Sequence, residues 1–400
     1  MDILMLSDVY FPRVNGVSTS IRTFARSLLR MGHRVTLVAP DYGDGAAVPD
    51  DSGLEVIRLP SRVIFFDPED RLIRSRAMRQ AVDRLASRPW DVIHVHTPFR
   101  AHTLGVRLAR RTGCPLVETY HTYFEEYVGH YLPWLPTAIT RRLARTASRR
   151  LCHEVDHLIV PSVEMVGVLA RYGIRTPHSV IPTGLELAEF AGGDGARFRR
   201  RHGIDPGRPT LVTVSRLAVE KNIGFLLEVV ARLVGEFPTL LFLIAGEGPD
   251  APRLRARVEQ LGLRANVRFF GNLNRERELL DAYRAGDAFV FASPTETQGL
   301  VLLEAMALGV PIVSTAVMGT ATVLAGTGSA LVSEEDVDAF ADCVARMLRN
   351  PELRASLSEA GPRDARRWST EALMGQVVAL YGGLADATDG AGIPALDHPR

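Results

Sequence analysis

Short apolar runs rich in Val, Ile and Leu recur along this chain, each followed by a longer segment of helical periodicity, and the alternation runs through the chain twice. A parallel strand covered on both faces reads as an unbroken apolar run, and a helix returns the chain to the start of the next strand. The pattern therefore predicts βα units around two buried parallel sheets. In the first half, strands are expected at 3–6, 35–38, 55–59, 92–95, 116–119 and 158–160. In the second half they are expected at 211–214, 241–245, 267–269, 288–291, 311–313 and 330–332. The junction falls in 181–205, where IPTGLELAEFAGGDG concentrates Pro and Gly.

The expected architecture is α/β: two tandem Rossmann-like, doubly wound domains facing across a cleft. The expected domains are 1–185 and 186–368, with a terminal helix at 369–385 packing back on the first and a flexible tail at 386–400. A length of 400 residues agrees with two cores rather than one. Such sheets take ligands at the carboxyl ends of their strands, so a pair of them points to a two-substrate enzyme.

Composition removes several alternatives. A formal net charge of +1, from 47 basic and 46 acidic residues, argues against nucleic acid as the main partner. Cys114, Cys152 and Cys343 lie far apart, without the spacing of a disulfide framework or a zinc site. The opening MDILMLSDVYFPR lacks the pattern of an export signal, and the apolar stretch around Val301 to Val317 is broken by Glu304, Gly309 and Pro311. A cytoplasmic chain is expected, with any membrane contact peripheral.

The loop after the first strand, SDVYFPRVNGVS, contains Gly16 but no GxGxxG, so a dinucleotide fingerprint is absent. Gly16 before a helix either admits an anion to the positive helix end or makes a tight turn. In the second half, VSRLAVEKN places Arg216 at a strand's carboxyl end and Lys221 five residues on, before a helix. Lys221 is the chain's one lysine. A point charge on a diphosphate is one reading of it, and an exposed helix-start cation is the other. GEGPD after the next strand is another glycine turn.

ASPTETQGLVLLEAMALGVPIVS is the most informative stretch. Glu296 falls in the loop after a strand, and Glu304 lies eight residues on, about two turns into the helix that Gly299 and Leu300 open. The amides of Thr297, Gln298, Gly299 and Leu300 would face a phosphate, and the carboxylates would accept from hydroxyls on either side of it. A sugar nucleotide has that layout. Glu304 also sits among apolar neighbours, where burial without a partner is costly.

Arg216, Lys221 and Glu296-x7-Glu304 resemble the donor-site pattern of family 4 glycosyltransferases of the GT-B fold, over nearly the whole chain. The resemblance implies that Arg216 and Lys221 hold the donor diphosphate, Glu296 contacts the sugar and Glu304 the ribose, with Gly16 beside the phosphates and His121 next to the transferred sugar. It also implies an acceptor domain followed by a donor domain, retention of anomeric configuration, and chemistry without a metal or other cofactor. Gln298 stands where the family often has an aromatic residue.

His121 ends the strand LVETY and begins HTYFEEY, which resembles the HTxYExY run of bacterial enzymes that glucosylate diacylglycerol; SDVYFPRVNGVSTS is similar to the opening of the same group. A core histidine is the alternative for His121. That resemblance implies a hexose, glucose from UDP-glucose, moved to a lipid such as diacylglycerol. The alternatives are a soluble or polysaccharide acceptor, or a nucleotide-sugar binding protein without turnover.

From Tyr127 to His153 there are five arginines and no acidic residue. A helical wheel sets Ile139, Leu143, Ala147 and Leu151 opposite Arg141, Arg142, Arg145 and Arg149, preceded by YLPWLP with Trp134. This is either an interfacial patch for anionic lipid or a packed helix with a solvated arginine face. His94 and His96 share a strand face without a third ligand at hand and read as a hydrogen-bonded strand end. Asp336-Val337-Asp338 follows Ser333 at capping-box spacing and reads as a helix start rather than a metal site.

Overall fold

The computed structural model describes residues 1–43, 53–64, 67–121, 137–275 and 277–390. The chain divides into two units, Met1–Gly184 with Thr370–Arg400, and Leu185–Ser369.

The first unit is built on a seven-stranded sheet in the order β3-β2-β1-β6-β7-β8-β9. Its strands are β1 (Asp2–Leu6), β2 (Arg34–Pro40), β3 (Glu55–Leu59), β6 (Val92–Val95), β7 (Leu116–Thr119), β8 (His157–Val160) and β9 (His178–Val180). All the pairings are parallel. An antiparallel hairpin, β4 (Ser61–Ile64) with β5 (Asp67–Ile73), is an addition that apolar runs did not announce, since both strands interleave charged with apolar residues. Strand β9 is short, half-exposed and at the sheet edge, so it too lacks an apolar signal.

The first helix, Gly16–Arg30, is closed at its start by a reciprocal cap between Asn15 and Ser18 and buries Ile21, Phe24, Ala25 and Leu28. Against the same core lies the helix Thr370–Gly390, which contributes Met374, Val377 and Tyr381. This helix continues through Gly390, so the expected tail begins too early at 386. Residues 391–400 lie outside the described residues.

The second unit has a six-stranded sheet in the order β12-β11-β10-β13-β14-β15. The strands are β10 (Thr210–Val214), β11 (Leu241–Ala245), β12 (Val267–Gly271), β13 (Ala288–Phe291), β14 (Ile312–Thr315) and β15 (Ala330–Ser333), again all parallel. Val212, Leu243 and Phe289 face one buried core, while Leu211, Phe242 and Val290 face the other. Both faces of the sheet are covered, as the unbroken apolar runs require.

Strand order reverses at β1/β6 in the first unit and at β10/β13 in the second. These switch points are where adjacent loops diverge and leave room for a ligand. Arg216 follows β10 and Glu296 follows β13, so the sheet topology brings together two motifs 80 residues apart.

Candidate functional site

In the second unit, Lys221 closes a short 3-10 turn, Val219–Lys221, and its ammonium donates to Glu296 Oε1. The pair is about four-fifths shielded from solvent, with side-chain exposures of 21% and 17%. Asn222 follows in a left-handed conformation (φ 53°) and donates to Ala292 O at 3.3 Å and to Glu335 Oε1 at 2.7 Å. Ser293 Oγ donates to Glu220 O at 2.9 Å. The bonds to Ala292 and from Ser293 tie the loop after β10 to the loop after β13, and the bond to Glu335 ties it to the segment after β15.

The GEGPD turn braces Arg216, a role that its glycine content alone did not reveal. Leu217 donates its N–H to Glu247 O at 2.9 Å, and Asp250 donates to Leu217 O at 2.9 Å. A Cβ on Gly246 would lie 1.9 Å from Ser215 O, so only glycine permits this backbone approach beside half-buried Arg216.

Gly299 (φ 85°) caps the helix Leu300–Ala307. Gln298 is buried and Thr297 half-buried. The loop after β14 clamps this segment: Gly319 N–H donates to Glu296 O at 2.8 Å, and a Cβ on Gly319 would meet Thr297 O at 2.2 Å.

Glu304 lies one turn into that helix rather than two, because the helix opens only at Leu300. Its side chain is 3% exposed and its carboxylate is partnered. Arg275 donates to Oε1, and Tyr283 Oη donates to Oε2 at 2.7 Å. Burial, then the Glu304 charge, holds the Tyr283 phenol well above its usual range. Arg275 and Tyr283 carry no motif signal, since their approach to Glu304 comes from the loop and helix between β12 and β13.

In the first unit, Gly16 is the first helical residue, after Asn15 rather than before the cap. Its φ is not positive and a Cβ there would meet no atom within 4 Å, so the tight-turn reading does not account for it. Asp8, just past β1, accepts from Thr97 Oγ1 at 2.8 Å and from the amides of Arg100 and Ala101 at 3.1 Å each, capping the helix Arg100–Thr112 from a neighbouring loop. Burial raises its carboxyl to about 6.

His121 is half-buried past the end of β7, with its Nε2 3.2 Å from His96 Nδ1. Burial lowers its pKa to about 4. His94 is bonded through both ring nitrogens, to Thr119 Oγ1 at 2.7 Å and to the Tyr381 hydroxyl. Among the described residues, no group of three His, Cys, Asp or Glu side chains is arranged to hold a metal ion. A second histidine cluster escaped notice in the sequence: His102 lies between Glu118 Oε2 at 2.8 Å and Glu154 Oε2 at 3.1 Å.

The arginine-rich segment is a helix, Thr137–Cys152, but its buried face is not the one the wheel selected. Thr140, Ala144, Ser148 and Cys152 are buried, while Leu143 is 51% exposed and Ala147 is exposed. Small residues allow the close packing in which Tyr120 Oη lies 3.2 Å from Ser148 Oγ, leaving Leu143 outside with Arg142, Arg145 and Arg149. Trp134 and the side chain of Arg141 lie outside the described residues, as does HTYFEEY beyond His121. Asp336, not Ser333, caps the helix Val337–Arg349, accepting from Ala339 N–H at 2.9 Å; Ser333 still belongs to β15.

The fold matches that of a sucrose-phosphate synthase from Thermosynechococcus elongatus, with a TM-score of 0.79, 21% identity, and coverage of 97% of this chain and 100% of the other. With its two units of helix-flanked parallel sheet, the protein is a glycosyltransferase of the GT-B fold. Residues 14–189 match the family described as Glycosyltransferase Family 4, and residues 194–364 match Glycosyl transferases group 1. An alpha-monoglucosyldiacylglycerol synthase from Streptococcus pneumoniae is 34% identical over 319 residues, covering 78% of this chain and 71% of the relative. A GDP-mannose-dependent alpha-mannosyltransferase from Mycobacterium tuberculosis is 28% identical over 314 residues, with 78% of each chain covered. The chain belongs to glycosyltransferase family 4.

Proposed function

We propose that the protein transfers a hexose, with retention of configuration, from a nucleotide diphosphate sugar to a membrane lipid, and that the pair is UDP-glucose and a diacylglycerol. The observation that carries the donor side is the Lys221–Glu296 ion pair beside the β10/β13 switch point. It sets a compact cation for a diphosphate next to an acceptor for sugar hydroxyls. The glucose and lipid assignments rest on similarity to the synthase named above.

In this reading the bond from the anomeric carbon to the diphosphate breaks, the acceptor hydroxyl oxygen bonds to that carbon in its place, and the hydroxyl proton passes to the departing diphosphate. Negative charge grows on the departing diphosphate, where Arg216, Lys221 and the amides of Thr297 to Leu300 stabilise it. Glu296 accepts from the sugar, and Glu304, held by Arg275 and Tyr283, accepts from the ribose. Gly16 admits the phosphates and His121 meets the transferred sugar. The protein itself supplies these charges, so no metal or cofactor enters the reading. Among the described residues no helix is long and apolar enough to cross a membrane. Contact with the cytoplasmic membrane face is assigned to the arginine-rich helix.

The test is turnover of UDP-glucose on vesicles containing diacylglycerol, with Glu296→Gln as control. Glucosylated lipid from the parent is expected, and from Glu296→Gln little product with affinity for UDP retained. GDP-mannose is the competing donor, favoured by the mannosyltransferase similarity. Product from GDP-mannose alone overturns the glucose assignment, and transfer to soluble acceptors alone overturns the lipid one.

A further inference from the structure

Among the described residues, Glu304 receives one side-chain hydrogen bond on each carboxylate oxygen, from Arg275 on Oε1 and from Tyr283 Oη on Oε2. A carboxylate offers about two acceptor positions per oxygen, so this division leaves one position on each. Two donors crowded onto one oxygen would have left an uneven acceptor. One position on each oxygen is what the two adjacent hydroxyls of a ribose require.

The two donors are not held alike. Arg275 lies in the loop between β12 and the helix Glu278–Ala285, and its side chain is 33% exposed. Tyr283 lies within that helix, is fully buried, and packs its ring on Phe289 of β13 with centroids 5.3 Å apart. The helix itself is pinned. Asp281 accepts from Arg197 Nε at 2.7 Å, from Arg197 Nη2 at 2.6 Å and from the Asp194 amide at 2.6 Å. A Cβ on Gly195 would lie 2.0 Å from Arg284 O, so only glycine lets the chain reach the end of this helix so closely. Tyr283 therefore brings Glu304 a donor with little freedom to move. The phenol keeps its proton, since burial and the Glu304 charge both oppose its ionisation.

We propose that Tyr283 is a positioning residue that fixes the Glu304 carboxylate for two ribose hydroxyls, and that this pair makes the protein select ribonucleotide over deoxyribonucleotide donors. The proposal rests on the reading of Glu304 as the ribose contact. Tyr283 is fully buried and acts through Glu304 rather than on the nucleotide. Without its hydroxyl, the carboxylate is held at one oxygen by a loop side chain and can rotate about its last bond. A rotated carboxylate serves one hydroxyl and misses its neighbour. The diphosphate contacts are assigned to Arg216 and Lys221, so only the ribose-dependent part of the affinity is at stake.

The experiment is calorimetric titration of the full-length protein with UDP, GDP and the dideoxyribose form of each, which lacks both hydroxyls. The base that binds more tightly supplies the pair to compare. The parent should prefer the ribonucleotide by about ten- to a hundredfold, the scale of hydrogen bonds to a charged group. Tyr283→Phe deletes the hydroxyl and keeps the ring. It should reduce that preference by about tenfold, as removal of an orienting hydrogen bond does, and leave affinity for the dideoxynucleotide within about twofold. Para-aminophenylalanine at position 283 places an N–H where the hydroxyl stood and should restore most of the preference. In a Glu304→Gln background, Tyr283→Phe should cost no further preference, because the two residues act as one unit.

Equal weakening of both nucleotides in Tyr283→Phe overturns the proposal, since a merely structural tyrosine lowers affinity without regard to the sugar. An unchanged preference in that variant overturns it too. If Tyr283→Phe does not fold, para-fluorophenylalanine at the same position fills the space without a donor and carries the same comparison. A parent that binds the ribose and dideoxyribose forms equally overturns the ribose reading of Glu304 instead, with no variant of Tyr283 involved. Binding of neither diphosphate overturns the donor-site reading itself.

Discussion

Lys221 donates from its ammonium to the Glu296 carboxylate, joining the chain's one lysine to the first glutamate of the pair across 75 residues of sequence. The pair is mostly shielded from water, so its geometry is not that of two loose surface charges. A partner removed from either side leaves the other half-buried and uncompensated.

Lys221→Ala should therefore act twice, by deleting a diphosphate contact and by releasing Glu296 from its position. The expected loss in kcat/KM for the donor is about 10²- to 10³-fold, the scale of a removed charge-stabilising donor. Arg216→Ala should cause a comparable loss, and Lys221→Arg should rescue little because a planar fork does not replace a point charge. Unchanged steady-state kinetics in both alanine variants would remove these residues from the donor site.

Gly319→Ala tests the clamp between the loops after β13 and β14. The added Cβ would lie 2.2 Å from Thr297 O, a backbone atom that cannot swing aside as a side chain does. Displacement of the Glu296 to Gly299 segment should weaken nucleotide diphosphate binding and cost about 1–3 kcal/mol of stability. Calorimetric titration and urea unfolding measure the two effects. Parental affinity in this variant would mean that the segment does not shape the site.

His102 supplies a pH dependence of known sign. Burial pulls its pKa down, but hydrogen bonds and charges from Glu118 and then Glu154 outweigh that and leave it above the ordinary 6.5. The folded state thus holds this proton more tightly than the unfolded chain. Its stabilisation is complete below about pH 6.5 and is lost as pH rises through the folded value. His94 and His121 are depressed to about 3 and about 4, so they oppose folding as pH falls from 6.5 toward those values. His102→Gln should flatten the alkaline decline in unfolding free energy and leave the acid limb in place. An identical alkaline slope in the variant would refute the His102 assignment.

The arginine helix should recruit the protein to anionic vesicles and release it at high salt, each cation near the lipid contributing on the order of 1 kcal/mol. Reversal of Arg141, Arg142, Arg145 and Arg149 to Glu should abolish recruitment and lipid glycosylation while slow donor hydrolysis persists. Leu143→Glu should weaken recruitment as well, because that side chain is 51% exposed among the arginines. If the parent never binds such vesicles, or the reversed protein glycosylates vesicle lipid at the parental rate, the helix is an ordinary solvated surface.

Sequence by itself determined the βα alternation, the two parallel sheets and the loops that bear Arg216, Lys221, Glu296 and Gly299. Each is a local property: an apolar run long enough for one strand, a glycine where a helix opens, a charge at a set offset from both. Strands without an apolar run, such as β9 and the β4–β5 hairpin, escaped for the same reason. Partner choice is a different kind of fact. That Glu304 is held by Arg275 and Tyr283, that His96 meets His121, that His102 lies between two carboxylates, and that small residues rather than Leu143 face inward all depend on which elements the sheet order makes neighbours. Periodicity reports the chain's own backbone over a few residues, whereas packing joins side chains far apart in sequence, so only the tertiary structure decided those contacts.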